Sequence, residues 1–467
     1  MKRRDFIRVT AAGSALLGAP GWMTACADWD GRDPLKVAES VGAWLMAVSR
    51  QERRSPTWPV VPAEGEAASV NLYSGTPGVI LFFLELHHAT GNPDYLKTAL
   101  EGAFLLQGAY LEGPGWAMAA GVPADDPTLI DPGLYTGQMG AGFALAETAI
   151  ATGGDIDPMG AMILFDAVSA VNQEVGEGIA WFEDDPDTAS YDIISGSAGI
   201  GLGLLYAHDR LEFVEVLDSA VRAGRYLMEK GRPAGEGLKW PISESNPRLY
   251  PNFSHGTAGV SYFMARLAEV TGEQEFLDAS IKGARYLQSV ARCQDDGCMV
   301  FHHEPGGEDL FYLGWCHGPV GTARLYHQLA KVTGDTEWSD WVLRSANAIR
   351  NRGIPDIRTE GYWNNVSQCC GDAGVGDFFL SLAAETGDLS YRTFARELAD
   401  YVLAEATGND AGLSWSQAEH RTQPEFLQAQ TGWMQGAAGV GAFFLHLDGA
   451  EKGRAPLIRF PDSPWLG

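Results

Sequence analysis

Apolar positions along this chain are gathered into stretches that are hydrophobic on every side. Each is followed by a stretch in which apolar and polar residues alternate with helical spacing. Val79-Ile80-Leu81-Phe82-Phe83-Leu84, Ile200-Gly201-Leu202-Gly203-Leu204-Leu205 and Val260-Ser261-Tyr262-Phe263-Met264 are of the first kind. They are longer than isolated strands usually are and too apolar for a surface helix, so they predict buried helices. Phe276 to Val290 and Trp338 to Ile349 are of the second kind and predict amphipathic covering helices. Between the two come Thr90-Gly91-Asn92, Thr271-Gly272-Glu273, Thr333-Gly334-Asp335 and Thr386-Gly387-Asp388. Glycine at these places fits a left-handed residue just past a helix end.

Each apolar stretch opens on Gly-x-x-Gly, with first glycines at Gly75, Gly137, Gly196, Gly256, Gly318, Gly371 and Gly436. The steps are 62, 59, 60, 62, 53 and 65 residues, a repeat architecture. The unit reads as loop, Gly-x-x-Gly, inner helix, Thr-Gly turn, outer helix. Seven inner helices have six outer helices after them, and amphipathic Leu35 to Arg50, ahead of the first repeat, supplies a seventh. The expected fold is therefore an all-α α/α toroid of seven inner and seven outer helices, with no sheet. A closed ring is favoured over an open solenoid because both ends are otherwise unmatched and no polar capping repeat is visible. In such a ring the seven glycine loops share one face. The positions just before the first glycine (Ser74, Thr136, Ser195, His255, His317, Cys370 and Gln435) then line the mouth of the central cavity.

With 467 residues and 45% hydrophobic content, the chain can bury a large core. Its formal net charge of -27 excludes nucleic acid and anionic membrane surfaces as natural partners, because phosphate calls for the opposite sign. Lys2-Arg3-Arg4-Asp5-Phe6-Ile7-Arg8 precedes a mild apolar run from Val9 to Ala25, too short for a spanning helix. Residues 1–25 read as an export signal of the twin-arginine type. Met23-Thr24-Ala25-Cys26 is similar to a lipobox, which would leave Cys26 lipidated as the only membrane attachment. Residues 26–467 then form the toroid in the bacterial cell envelope or periplasm. Cys293 and Cys298 bracket a turn-like segment and are readable either as a small disulfide loop or as free thiols.

The remaining three cysteines carry the candidate chemistry. Cys316 and Cys369 each stand two residues before a Gly-x-x-Gly, in neighbouring repeats, and Cys370 follows directly. Fifty-three residues of separation matches no zinc-finger spacing, but the repeat register places these thiols at the same point of adjacent loops. Three thiolates with an open fourth position suit a catalytic zinc site.

At these residues the chain resembles the lanthionine synthetase C-like family, cyclases that form the thioether bridges of lanthipeptides, and their eukaryotic relatives. The resemblance runs over roughly residues 35 to 450. Trp315-Cys316-His317-Gly318 is similar to the family's first zinc motif. Cys369-Cys370-Gly371 is similar to its second, with Cys370 where histidine is usual, as in a Cys-Cys-Gly subgroup. The resemblance implies zinc on Cys316, Cys369 and Cys370, with His255 of His255-Gly256-Thr257-Ala258-Gly259 as acid/base and Asp192 orienting it. His317 would contact substrate or the metal's surroundings. The implied reaction is addition of a zinc-bound thiolate to the β-carbon of a dehydroamino acid, with proton delivery to the α-carbon.

The sequence also departs from the family. Where bacterial cyclases often carry an arginine ahead of the first zinc cysteine, this chain has Asp309-Leu310-Phe311-Tyr312-Leu313, with Tyr312 near the place. Lanthipeptide cyclases act in the cytoplasm, so an exported copy implies another thiol-containing peptide or small molecule as partner. Three functions compete: a zinc enzyme joining a thiol to an electrophilic alkene, a non-catalytic thiol-binding module, and a carbohydrate-active toroid using carboxylates such as Glu183-Asp184-Asp185 and Glu244. His302-His303-Glu304 reads as surface.

Overall fold

The structure, a computed structural model, describes residues 33–465 apart from 53–54, 66, 120 and 155. Residues 1–25, read above as an export signal, and Cys26 lie outside the described residues. Seven inner helices each begin at a Gly-x-x-Gly: α2 (Thr76–Thr90), α5 (Gln138–Ala151), α7 (Ser197–Leu211), α9 (Thr257–Thr271), α11 (Pro319–Thr333), α13 (Asp372–Thr386) and α15 (Ala437–Lys452). Seven outer helices wrap them: α1 (Pro34–Val48), α3 (Pro93–Leu111), α6 (Met159–Ala170), α8 (Leu217–Lys230), α10 (Gln274–Val290), α12 (Thr336–Arg350) and α14 (Leu389–Ala404). A short helix, α4 (Pro114–Ala119), follows α3. Inner helices are packed on every side, which is why Val79 to Leu84 are all fully buried. Outer helices bury one stripe; in α8 it is Ala220, Ala223, Gly224, Tyr226 and Leu227.

The first glycine of each motif is the residue that caps the inner helix, and its φ is ordinary, as at Gly256 (φ -154). What these glycines provide is room. A Cβ on Gly256 would lie 1.9 Å from the Tyr250 carbonyl oxygen, and one on Gly321 would lie 2.1 Å from that of Trp315. Glycines past the inner-helix ends play the other part: Gly91, Gly272, Gly334 and Gly387 have φ between +69 and +74.

One expectation needs correction: the fold is not free of strands. Five two-stranded antiparallel ribbons are present among the described residues: β1 (Arg50–Glu52) with β2 (Ser55–Thr57), β3 (Gln173–Val175) with β4 (Gly178–Ala180), β5 (Arg232–Ala234) with β6 (Gly237–Lys239), β7 (Arg292–Gln294) with β8 (Gly297–Met299), and β9 (Ser416–Ala418) with β10 (Leu427–Ala429). Three-residue strands are too short to show an alternating pattern. Their trace is the tight turn, with a positive φ at Gly176, Gly235 and Asp295. Cys293 and Cys298 sit opposite each other on β7 and β8 and form a disulfide. Four tryptophans fasten this layer to the helices. Trp58, Trp181, Trp240 and Trp415 each donate their indole N–H to a carbonyl of the preceding outer helix, always 13 residues back: Leu45, Val168, Leu227 and Val402. Each bond satisfies an acceptor that the last helical turn leaves open.

The ring is closed. The loop residues two before each first glycine pass a backbone hydrogen bond from repeat to repeat: Tyr73 to Tyr135, Tyr135 to Ile194, Ile193 to Ser254, Ser254 to Cys316, Cys316 to Cys369, Cys369 to Met434, and Met434 back to Tyr73, at 2.8 to 3.2 Å. Only the third loop slips, accepting at Ile194 and donating from Ile193. The two ends of the chain also meet through Leu413 N–H to the Ser40 carbonyl (3.2 Å) and Thr431 N–H to the Val60 carbonyl (3.1 Å). After α15, residues 454–465 run back into the lumen, where Asp462 Oδ2 accepts the Trp315 indole N–H at 3.0 Å and Phe460 lies 5.0 Å from Trp433 and 5.1 Å from Phe143.

Deleting residues 33–52 removes α1 and bares the apolar side of α15, whose burial is worth about 25 cal/mol per Å². The expected outcome is aggregation and loss of the single melting transition, read by calorimetry and light scattering. A truncated chain that melts like its parent would show that the ring does not need this closure.

Candidate metal and acid–base site

The backbone bond from Cys316 to Cys369 brings two thiols together before any side-chain packing is considered. Cys370, next in sequence, turns to the same place. The sulfurs of Cys316 and Cys370 are 3.3 Å apart, those of Cys369 and Cys370 3.4 Å, and all three lie within 4.8 Å of one another. Sulfurs around a tetrahedral zinc are about 3.8 Å apart, so this buried, all-sulfur donor set fits the ion with small adjustment. No other histidine, cysteine or carboxylate group of this kind is present among the described residues.

Sequence reasoning missed a fourth member of the site. Tyr73 occupies the same register position in the first repeat that Cys316 and Cys369 occupy in theirs, which was the available signal. Its hydroxyl donates to Cys369 Sγ at 3.3 Å and accepts from Gln435 Nε2 at 3.0 Å. Gln435 is fixed in turn by Asn365 Nδ2 on its side-chain oxygen, 2.9 Å. Thiol donation from Cys316 and then Cys370, joined by the Tyr73 hydroxyl, pulls Cys369 well below the usual thiol range despite burial. Burial keeps Tyr73 far above its ordinary value, so the hydroxyl stays a donor. Negative charge is therefore settled on Cys369, and binding a dication would favour thiolate at all three positions.

His255 and Asp192, from adjacent loops, form a pair: imidazole Nδ1 is 2.6 Å from Asp192 Oδ2. The carboxylate is also the cap of its own loop, since Oδ1 accepts the amides of Ser195 (2.9 Å) and Gly196 (3.0 Å). Capping and orienting are thus done by one side chain. Its exposure is 3% against 37% for His255, so the pair presents the imidazole outward. Burial works to lower His255, but the charge of Asp192 and its hydrogen bond prevail and leave the imidazole more basic than usual.

His317 occupies the corresponding position one loop later and has no such partner. Its Nδ1 is buried without a hydrogen bond. Burial, followed by the neighbouring His302 and His255, holds it well below the usual range, so it is neutral. The expectation that His302 and His303 are surface residues fails. His302 lies 4.2 Å from His317 and 4.3 Å from Tyr312, ring centre to ring centre, while its Nδ1 meets that of His303 at 2.8 Å. Burial and then His303 push His302 down to about 3. Tyr250 covers the same cluster, 5.1 Å from His317 and 6.2 Å from His255. Arg421, in the segment joining β9 and β10 and ion-paired with Glu360, is near enough to Tyr312 to offset part of the upward push that burial gives its hydroxyl, so a guanidinium charge reaches this wall from another repeat. The carboxylates considered for glycoside chemistry are employed elsewhere. Glu244 binds Arg232 (2.7 Å) and Tyr191 (3.1 Å), and Glu183, Asp184 and Asp185 are exposed.

A closed seven-repeat α/α toroid carrying a three-cysteine cluster beside a carboxylate-held imidazole defines the class of protein. The model of the family described as lanthionine synthetase C-like protein matches residues 66–459, and the chain belongs to that family. Among solved structures it is similar to nisin cyclase, 15% identical, with 91% of this chain and 96% of that chain covered and a TM-score of 0.58. A GH76A α-1,6-mannanase from Salegentibacter sp. HEL1_6 is 12% identical, covering 90% of this chain and 99% of that chain at a TM-score of 0.48. Among curated proteins it is similar to glutathione S-transferase LANCL1 of Danio rerio, 22% identical over 203 residues, or 40% of this chain. That match spans less than half, 44%, of the relative's length.

Replacing Asp192 with asparagine removes the charge that makes His255 basic. The His255 titration, followed by NMR, should move downward, with the fold retained through the amide's remaining capping oxygen. An unmoved titration would mean that Asp192 acts on the loop alone.

Proposed function

We propose that this chain is an exported zinc protein that binds a substrate thiol and adds it across an electrophilic alkene such as a dehydroamino acid. The observation that supports this most directly is the convergence of Cys316, Cys369 and Cys370 next to the Asp192–His255 pair, within a lanthionine synthetase C-like toroid. Zinc held by the three thiolates would supply a Lewis acid at which a thiol is present as thiolate at neutral pH. The protein's own residues do the rest. As the sulfur–carbon bond forms at the β-carbon, the alkene's electron pair moves to the α-carbon and its carbonyl. His255, kept protonated by Asp192, gives that carbon its proton, and the proton released by the thiol restores the imidazolium. Asp192 acts as a positioning residue through Nδ1. Tyr73, by hydrogen bonding Cys369, draws charge from one of three strongly donating ligands. His302 and His317, both neutral, give the substrate a wall without competing acids.

One zinc per chain is expected by elemental analysis. Cys369→Ala should lose it, because two thiolates rarely suffice where three are arranged. His255→Ala should keep the zinc and still bind thiols, yet add them to a dehydroalanine peptide slower by on the order of 10²–10⁴-fold. Zinc lost with His255→Ala would make that residue a ligand and undo its role as acid. Thiol bound without addition by the unaltered protein would make the chain a binding module.

The cellular place rests on Arg3-Arg4 and Cys26. Lysine at both arginines should hold the precursor in the cytoplasm, and Cys26→Ser should abolish incorporation of a lipid label. An uncleaved, soluble chain in the cytoplasm would overturn this assignment.

A further inference from the structure

Residues 454–465 do not fill the lumen completely. Beside that strap a cavity of about 430 Å³ remains among α11, α13, α14 and α15. It is a channel that follows α13. Gly374, Phe378, Ser381 and Ala384 recur along it at helical spacing, and about 15 Å of helix separates the first from the last. Gly449 and Gly453 line it from α15, and Ile458 and Trp465 from the strap. Small residues on both helices keep the space open. The inner end is the back of the cysteine loops, at Trp315, Gln368 and Met434, and the outer end is Leu389, which is 58% exposed.

The charges in its wall are matched by one another. His446 Nδ1 meets Asp377 Oδ1 at 2.9 Å, Arg324 Nη1 meets Asp462 Oδ2 at 3.0 Å, and Arg454 Nη2 meets Asp448 Oδ2 at 2.9 Å. Arg392, on the first turn of α14 beside Leu389, donates to the Ala450 carbonyl at 3.1 Å. The inner part of the channel therefore offers no free counter-charge. What it does offer is an uncharged acceptor. Gln368, only 8% exposed, gives its Nε2 to Asp377 Oδ2 (2.7 Å) and to the Gly439 carbonyl (2.9 Å), and these two acceptors fix which end of the amide is nitrogen. The oxygen of the same amide receives no hydrogen bond from any described residue. Native interiors seldom leave a buried amide oxygen in that state, and an apolar channel with one polar group in its wall has the form of a small-molecule site. Ordered water is a poor filling for the rest, because each molecule needs several polar partners.

We propose that this channel binds one uncharged single-chain amphiphile, a straight-chain alcohol of about ten to twelve carbons by length, whose hydroxyl donates to Gln368 Oε1. The hydrocarbon follows α13 past Phe378, Ser381 and Ala384 and ends toward Leu389. The site uses no metal and no thiol, so it stands whether or not the chain adds thiols to alkenes.

Trp315, Trp433 and Trp465 line the channel and serve as reporters. Titrating the full protein with 1-decanol should change their fluorescence saturably, at one alcohol per chain. The methyl ether of decanol, which can accept but not donate, should bind about tenfold more weakly. Decanoate and decylammonium, whose charges find no free partner inside, should each bind at least about tenfold more weakly as well. Hexanol should bind roughly two-hundredfold more weakly, since each buried methylene is worth about a factor of four. Ser381→Phe puts a ring midway along the channel without removing a charge, and should abolish the signal while melting as the parent does. A non-saturating change, the ether or either ion binding as tightly as decanol, hexanol equal to decanol, or undiminished binding by Ser381→Phe would each overturn the proposal. The headgroup and chain-length series on the unaltered protein decides the matter even if the variant fails to fold.

Discussion

A closed circle of seven backbone hydrogen bonds is what the rest of this molecule depends on. It fixes six of the seven glycine loops to both neighbours at one residue, and the third at two adjacent ones, so the side chains there and at the next position have little choice of direction. Cys316 and Cys369 are neighbours because their peptide groups are bonded, not because surrounding side chains press them together. Tyr73 arrives at Cys369 by the same device, through Met434. Thiols positioned by the main chain do not depend on side-chain packing for their geometry, which is the property a preorganised site requires. The close-approach glycines serve this arrangement, since any Cβ there would push a loop out of the circle.

The same circle makes a controlled comparison of two imidazoles. His255 and His317 hold equivalent positions in adjacent loops, yet one is more basic than usual and the other far less. The difference is Asp192. A carboxylate two loops back from Cys316 selects which histidine carries a proton, while the aromatic and imidazole rings around His317 offer it only burial and like charge. Arg421 and Arg248 add guanidinium charge at this wall, which helps to hold His302 and His303 neutral.

Most of the architecture could be read from residues because its two signals are strong. A stretch that is apolar all round and this long can hardly be anything but a buried helix, and seven copies of Gly-x-x-Gly fix the phase of these stretches. The cysteine cluster followed from phase alone. Tyr73 was passed over because a tyrosine is unremarkable unless its register is compared with that of the cysteines. His302 was misjudged because adjacent residues usually face apart. Here both rings turn toward Tyr250 and meet each other, since backbone pairing of Leu249 with Glu304 folds that segment over the loops. The ribbons escaped because three residues are too few for periodicity, and the Trp58-type locks because they pair an indole with a carbonyl that sequence does not mark. The lumen strap carries no motif at all.

The manner of closure also dictates when the site can exist. Thr431 Oγ1 bonds the Pro59 carbonyl across 372 positions of sequence, the Ile458 amide bonds Glu85 across 373, and Tyr73 reaches Cys369 across 296. Contacts of that span carry a large loop-closure cost and tend to form late. A growing chain can stack its helical pairs one after another, each burying the last. It cannot seat Tyr73 on Cys369, or wedge Phe460 and Asp462 into the lumen, until the final repeat has been synthesised. The cysteines belong to the middle of the gene product, but the pocket that makes them a site is finished by its ends. Enclosure of the three thiols is thereby tied to synthesis of the last repeat, and a chain interrupted before it is left with thiols but no enclosure.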